Sequence, residues 1–600
     1  MNPQMMVAAD LFRQRCLLAD DSLFFPGEQV WTLANLEQLR RVFVEKADEG
    51  NRSFWAKYAD QLGDQEPRVQ ILGAEVLAVY YLFPMTTRPE TKRSQVRQVL
   101  AWAHKDVVDD DPLLQAFGRP VINPGSGFNL RRHVEMWFII DFAIAWKTDP
   151  APGRGALLDG NPWAFQQFVD AVPAADSRQM RHILLALLYP EDFEAIASTP
   201  HKRAIIRAFE GLLDDENRDL DDEQRLRAIR RQLNEYLPQP EVTFYEHPLG
   251  EAWAWRGTSN GGVNDDIPLD IVDYKKQVIL YGPPGTGKTF QAKGLAQSIV
   301  RSAALNVWGA SEYFSNVPRV DGVLDSHVHR QQLHPSYGYE QFVRGLHIDG
   351  SGATIYRNGF LLDVIGKMNN EKEGDDSLPH VLILDEINRT DLSRMLGECF
   401  SLLEDREEEI TLAGKNADGS DETLKIPENL YIIGTMNLID QSVEQIDFAL
   451  RRRFLWIRSD YDPDALVSIA EATWHKSGHR VPWDRVRGDF QRLADAGSDL
   501  NKHIRISPLL GADYEVGHTY LLDATRFLLD DIGPRGTGRK YYMFDGNDKP
   551  KEPMRRVWRL SLRPLLEQYL AGLEGKARDE ELKELEAIFL APRKPGDDEG

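Results

Sequence analysis

The sequence predicts a doubly wound parallel α/β domain with a mostly α-helical N-terminal domain before it and a small helical lid after it. Three observations carry that expectation. From residue 277 onward, short apolar runs bounded by turn residues alternate with helical stretches, as expected of a buried parallel sheet with crossover helices. The first of these runs ends in a glycine-rich loop that opens a helix. Residues 1–238, and again those after about 460, place apolar residues at three- and four-residue spacing instead.

Four runs read as strands: QVILYG (277–282), HVLILDEI (380–387), NLYIIGTMN (429–437) and FLWIR (454–458). In the N-terminal half, LANLEQLRRVF (33–43) and RQMRHILLALLY (178–189) have helical periodicity. The longest apolar stretch, MWFIIDFAIAW (136–146), is too short to span a bilayer and contains Asp141, so it reads as a buried helix. A charged helix ending near Pro238, then the polar, Gly-rich RGTSNGGVNDD (256–266), mark a boundary. The expected domains are therefore 1–240 (helical), 265–460 (α/β) and 461–590 (lid), with 591–600 as a frayed tail.

Composition narrows the function. The chain is 42% hydrophobic and 28% charged, as in an ordinary globular protein. Its formal net charge of −23 argues against general nucleic-acid binding, which needs Lys and Arg on the phosphates. Any DNA contact is then confined to a local patch or made through a partner. The two cysteines, Cys16 and Cys399, form neither a disulfide framework nor a Cys-based zinc site. With no basic start followed by an apolar run, a cytoplasmic location and no membrane role are expected.

The loop GPPGTGKT comprises Gly282, Pro283, Pro284, Gly285, Thr286, Gly287, Lys288 and Thr289. Its glycines let backbone N–H groups face a phosphate, and the following helix adds a favourable dipole. Lys288 can reach the β- and γ-phosphates, and Thr289 can ligate Mg²⁺. Asp385 and Glu386 end the second apolar run; the first suits Mg²⁺ and the second suits polarising an attacking water. Asn437 ends the third run, where strand C-termini converge on a ligand crevice, and can orient that water. Arg451, Arg452 and Arg453 follow. In a ring, one of them could enter the neighbouring site as an arginine finger; a solvated basic turn is the plainer reading.

GPPGTGKT, LILDEINRTDLSRMLGECFSLLEDRE, NLYIIGTMNLIDQSVEQIDFALRRRF and YEVGHTYL occur in that order, with HPSYGYEQFVRG (334–345) after the first. Together, over roughly residues 265–570, they resemble the McrB-like AAA+ group. The resemblance implies an NTP-hydrolysing AAA+ domain with Mg²⁺ and ATP or GTP, GTP being preferred in the best-known members. It implies a hexameric ring, a McrC-like nuclease partner, and an N-terminal domain that recognises the target. The usual motif after the third strand is Met-Asn-Thr-Ala-Asp-Arg-Ser; here Met436, Asn437, Asp440 and Ser442 match, and Gln441 replaces the Arg. Asp440 is accordingly expected near the nucleotide. A MoxR or dynein-related ATPase that remodels proteins is the second reading, because it would use the same site chemistry. A non-hydrolysing scaffold is a third, disfavoured by the intact Lys288, Asp385 and Glu386.

Other residues remain open. Trp55, Trp102, Trp137 and Trp163 could line a recognition pocket but read more readily as core. Tyr337 and Tyr339 could pack near the nucleotide or a ring pore, or simply pack. His518 could sense nucleotide or be a satisfied structural histidine.

Two substitutions test the loop and the acidic pair. Lys288→Ala is expected to abolish nucleotide binding or turnover in a phosphate-release assay; unchanged hydrolysis removes the phosphate-loop assignment. Glu386→Gln is expected to bind nucleotide but turn it over about 10²–10⁴-fold more slowly, and normal turnover means that another group serves as base.

Overall fold

The computed structural model describes residues 3–46, 54–83, 87, 89–118, 128, 132–148, 158, 160–237, 242–246, 248–255, 267–348, 350, 352, 354–371, 377–416, 419–439, 448–533, 541–573 and 575–592. The chain divides into two compact units, Met1–Gln232 and Leu233–Gly600.

Every described secondary-structure element of the first unit is a helix. Helix α1 (Leu33–Leu39) starts at Thr32, whose side chain accepts from Asn35 N. Helix α2 (Pro67–Tyr81) has Pro in its first turn and is buried at every residue from Val69 to Tyr81. A helix apolar on all sides belongs in the middle of a core. Its one carboxylate, Glu75, accepts from Trp31 Nε1 at 2.6 Å, from Phe24 N at 3.1 Å and from the Ser22 hydroxyl. Burial nonetheless pushes the Glu75 pKa up to about 7.

Helix α3 (Arg132–Thr148) contains MWFIIDFAIAW and is a buried helix, as its composition predicts. Asp141 is accommodated at the margin by Arg40 Nε, 2.8 Å away. Lys147 is buried and donates to the carbonyls of Cys16 (2.5 Å) and Leu17 (3.1 Å) and to Asp20. Helix α4 (Gln179–Leu188) packs against α3. Trp55, Trp102, Trp137 and Trp163 are all partly buried against this core.

The second unit holds a five-stranded sheet: β1 (Gln277–Gly282), β2 (Val328–Gln332), β3 (His380–Asp385), β4 (Leu430–Asn437) and β5 (Leu455–Arg458). The order is β5-β1-β4-β3-β2 and every pairing is parallel. The three central strands are almost wholly buried, which is why their sequences are continuous apolar runs. Strand β2, VHRQQ, was not anticipated. It lies at the sheet edge, half-exposed, and carries no apolar run to betray it. Two hairpins were likewise unforeseen: Arg344–Ile348 with Thr354–Asn358, and Ile410–Lys415 with Asp421–Leu424.

Helix α5 (Lys288–Ser315) leaves the glycine-rich loop and is broken at Gly309, where φ is 77°. Helix α6 (Phe360–Met368) precedes β3 and buries Leu361, Leu362, Val364 and Ile365. After β5 come α7 (Pro463–Ser477), α8 (Arg487–Ile506), α9 (Asp523–Ile532) and α10 (Gly575–Phe589). Asp462 caps α7 by accepting from Asp464 N and Ala465 N at 2.9 and 3.0 Å. These helices enclose a separate core around Trp474, Phe490, Leu493, Trp558, Leu585 and Phe589. Of the expected tail, 593–600 lies outside the described residues.

One buried ion pair in the first unit provides a stability test. Lys202 Nζ donates to both oxygens of Glu223, at 2.5 and 2.6 Å, and His182 Nδ1 lies 3.0 Å from the same carboxylate. Burial opposes ionisation of Glu223, but Lys202 and His182 overcome it and hold the carboxyl below its usual range. Glu223→Ala leaves the Lys202 charge buried and unpaired. It is expected to cost about 3–5 kcal/mol, read as a lower urea midpoint for the full chain by tryptophan fluorescence. An unchanged midpoint means that Lys202 sheds its proton or finds water at little cost.

Candidate nucleotide-binding site

The parallel register places the C-termini of β1, β4 and β3 side by side. Asn437, the last residue of β4, pairs with Gly282, the last of β1, and on the other flank Gly434 pairs with Leu384, one residue before Asp385. Adjacent strands lie about 4.8 Å apart, so the loop after Gly282, the acidic pair and Asn437 share one end of the sheet.

The loop is shaped by Gly285 and Gly287, with φ of +78° and +75°, which non-glycine residues seldom adopt. Thr286 is fully buried and donates to Pro283 O at 3.0 Å. Gln291 Nε2 donates to Thr286 O at 3.1 Å, and Gln291 Oε1 accepts from Ser459 Oγ at 2.8 Å, tying the loop to the end of β5. Lys288 is nearly buried; its ammonium donates to Pro283 O at 2.6 Å and Gly282 O at 3.1 Å. Thr289, half-buried, follows in the first turn of α5.

Asp385 is buried, accepting from Arg330 Nε at 2.5 Å and from Thr435 Oγ1 at 3.0 Å. The same Thr435 oxygen accepts from the Glu386 backbone N–H at 3.1 Å. One β4 hydroxyl thus holds both acidic residues. Glu386 has φ 58° and ψ 50°, a left-handed conformation unusual for a residue with a Cβ. Such local strain is characteristic of functional positions. Its carboxylate pairs with Arg389. The Asn388 carboxamide donates to Asn437 O at 2.8 Å and steadies the end of β4.

The lid loop rests directly on the phosphate loop. Gly517 N donates to Pro284 O at 3.1 Å, and Thr519 donates to Gly285 O through its backbone (3.0 Å) and its hydroxyl (2.9 Å). His518 between them is fully buried, and among the described residues neither ring nitrogen has a hydrogen-bond partner. Burial pushes its pKa down; Asp462 opposes this and Lys288 reinforces it. The satisfied structural histidine of the sequence reading is therefore not what the structure shows.

The three arginines sit at the other end of the sheet. Strand β5 begins beside Val278, and Lys275 Nζ donates to Arg452 O. From Val278 to Gly282 is four residues, roughly 13 Å. Arg453 is nearly buried, with its guanidinium 4.1 Å from the Phe400 ring and 2.8 Å from Glu404. Arg451, over Trp456, and Arg452 are exposed. Tyr337 and Tyr339 serve packing: Thr390 donates to Tyr337 O at 2.6 Å, and Tyr339 OH donates to Glu398 at 2.7 Å. Asp440 and Gln441 lie outside the described residues.

Sequence reading did not find Thr435, Arg330, Arg389 or the Gly517–Thr519 contact. Thr435 stands inside an apolar strand, and the others have no local motif; Thr435, Arg330 and the Gly517–Thr519 segment acquire meaning from partners remote in sequence, whereas Arg389 pairs with Glu386 three residues away.

Comparison with known proteins gives the following similarities. The family described as AAA domain (dynein-related subfamily) matches residues 315–454, from the end of α5 to the arginine run. The chain is 30% identical over 254 residues to the type IV methyl-directed restriction enzyme EcoKMcrB subunit of Escherichia coli (strain K12), covering 42% of this chain and 48% of that protein. It is 30% identical over 136 residues to an AAA ATPase forming ring-shaped complexes from Rothia mucilaginosa (strain DY-18), covering 20% and 22%. The chain thus spans about half the length of the first relative and about a fifth of the second. A solved structure, the Thermotoga maritima RuvB Holliday junction branch migration motor, aligns over 54% of this chain and 81% of that one. Its identity is 16% and its TM-score 0.22.

The seat of the lid loop is testable. A Cβ on Gly517 would lie 2.0 Å from Gly285 C and 2.4 Å from Thr286 N, both backbone. Gly517→Ala is expected to displace the phosphate loop at a cost of about 1–3 kcal/mol, weakening labelled-nucleotide binding by roughly ten- to a hundredfold. Wild-type affinity in this variant means that the lid leaves the loop when nucleotide binds.

Proposed function

We propose that this chain, whose nucleotide-binding part is an AAA+ NTPase domain of the McrB-like, dynein-related group, works as a Mg²⁺-dependent nucleoside triphosphatase in a closed ring, as the motor subunit of a restriction complex with a McrC-like nuclease. The observation that carries the ring is the separation of the arginines from the phosphate loop. Arg451 and Arg452 are at the opposite end of the sheet from Lys288 and Glu386, so a finger role for either would be played on a neighbouring copy. Heterologous contacts that close on themselves generate such rings. Arg453, held by Phe400 and Glu404, braces the turn that presents the other two.

Within one site the roles follow from position. Backbone N–H groups of Gly285–Thr289 and the Lys288 ammonium receive the phosphates. The Thr289 hydroxyl and the Asp385 carboxylate are oxygen donors suited to Mg²⁺. Asp385 already draws the cationic Arg330, so its oxygens attract positive charge from this end of the sheet. Bound Mg²⁺ would neutralise charge on the phosphate oxygens. Glu386, fixed by Thr435 and Arg389, polarises the attacking water, and Asn437 orients it. Asp440, which lies outside the described residues, keeps the role that the McrB-like resemblance implies for it. ATP and GTP both fit this phosphate chemistry.

Residues 1–240 are proposed to recognise the target. With a net charge of −23, DNA contact falls to a confined patch or to the nuclease. No described helix is long and apolar enough to cross a membrane; both cysteines are free and buried, and a reducing cytoplasm is proposed on their account. A remodelling ATPase acting on proteins is the second reading, because it would use the same site chemistry.

Phosphate release by the purified chain, with ATP and GTP in parallel and Mg²⁺ present, tests the assignment. Preference for GTP supports the McrB-like motor, and preference for ATP moves weight to remodelling. Silence with both, alone and with a McrC-like nuclease, refutes the motor reading. The shared site has its own test. Arg452→Ala and Lys288→Ala chains are each expected to lose about 10³-fold in turnover. Mixing them pairs an intact loop with an intact arginine at some interfaces and restores part of it. No recovery assigns the finger to Arg451, if its mixture recovers, or removes the shared site, if neither does.

A further inference from the structure

A second cluster of chemical groups lies at the end of the sheet away from the phosphate loop. His327 closes the helix Val317–His327 just before β2, His329 lies within β2, and His380 opens β3. Glu371 follows α6. Five residues, roughly 16 Å of strand, separate His380 from Asp385. This cluster is therefore distinct from the nucleotide site.

The geometry around Glu371 is specific. Its Oε1 lies 2.6 Å from His380 Nε2 and 3.3 Å from His327 Nε2. One donor atom from each of His327, Glu371 and His380 lies within 4.8 Å of the other two. His327 and His380 are buried, and their rings are 4.0 Å apart. The other nitrogen of each ring is already engaged. His327 Nδ1 lies 3.2 Å from Pro379 O, and His380 Nδ1 lies 3.0 Å from His329 Nε2. A carbonyl oxygen only accepts, so His327 carries its proton on Nδ1. Its Nε2 faces a carboxylate oxygen, a contact bridged either by a proton on Nε2 or by a metal ion. This second layer of hydrogen bonds on the far nitrogens is the arrangement found around metal-bound histidines.

The distances suit a metal as well. With ligand bonds of about 2.0–2.1 Å, the edge of a tetrahedral zinc site is roughly 3.3 Å. The His327–Glu371 separation already matches, and the His380–Glu371 separation needs to open by less than an ångström. We propose that His327, Glu371 and His380 form a binding site for a divalent transition metal, zinc foremost, that ties the starts of β2 and β3 to the segment after α6. Two imidazoles and one carboxylate are a donor set that zinc accepts, with water in the fourth position.

The test uses the full chain, free of any histidine tag and dialysed against chelator. Zn²⁺ is added back and bound metal is counted by elemental mass spectrometry; Co²⁺ is added in parallel to read coordination geometry from its visible absorbance. One equivalent of zinc and a tetrahedral cobalt spectrum are expected. Glu371→Gln and His380→Gln should each weaken binding at least tenfold. A looser group, His503 with Glu581 and Glu584, also brings donors together, so Glu584→Gln serves as the control and should leave the equivalent in place. The proposal is overturned if wild type binds no stoichiometric metal, or if Glu584→Gln rather than Glu371→Gln removes it. Circular dichroism of each variant guards against simple unfolding. If Glu371→Gln unfolds, His327→Gln provides the same reading.

Discussion

The parallel register of β1, β4 and β3 is the constraint on which the site depends. A parallel sheet points all its C-termini one way, and register then decides which residues become neighbours across strands. Here it aligns Asn437 with Gly282 and brings Thr435 against Asp385 and Glu386. The Thr435 hydroxyl gives to one residue and receives from the next. It therefore fixes both the buried carboxylate and the strained backbone that follows. A slip of one residue would turn each side chain to the other face of the sheet, and the phosphate loop would face no acidic pair.

The lid extends this logic to the loop itself. Pro284 O and Gly285 O accept hydrogen bonds from Gly517 and Thr519, so the loop's carbonyls are satisfied from outside the sheet. His518 is carried into the interior by its neighbours, with neither nitrogen partnered among the described residues and Lys288 and Asp462 nearby. A buried polar group in that state costs free energy. It persists because the backbone on both sides is held by the phosphate loop. The lid loop and the phosphate loop are thus tied together by hydrogen bonds within one chain.

The helical unit solves its polar problems differently. Glu75, Lys147, Lys202 and Glu223 are all buried, and each is surrounded by donors or acceptors drawn from other helices or turns. Burial raises the pKa of Glu75, where only neutral donors face it, whereas Lys202 lowers that of Glu223. The same penalty for a buried charge is met by hydrogen bonds in one place and by an opposite charge in the other.

The sequence by itself determined the core strands, the phosphate loop and the acidic pair. Continuous apolar runs, a glycine-spaced loop and a terminal Asp-Glu are local patterns whose physical cause lies within a few residues. It also determined the helical character of the N-terminal unit and the burial of 136–146. Tertiary structure alone decided the strand order, the edge strand VHRQQ, and the roles of Thr435, Arg330 and Gly517. It separated Arg453 from Arg451 and Arg452, which are chemically identical in sequence, because only packing against Phe400 and Glu404 distinguishes them. It likewise gathered His327, Glu371 and His380 from three elements. Contacts between residues remote in sequence leave no periodicity in the chain, and so they become visible only when the sheet sets its register.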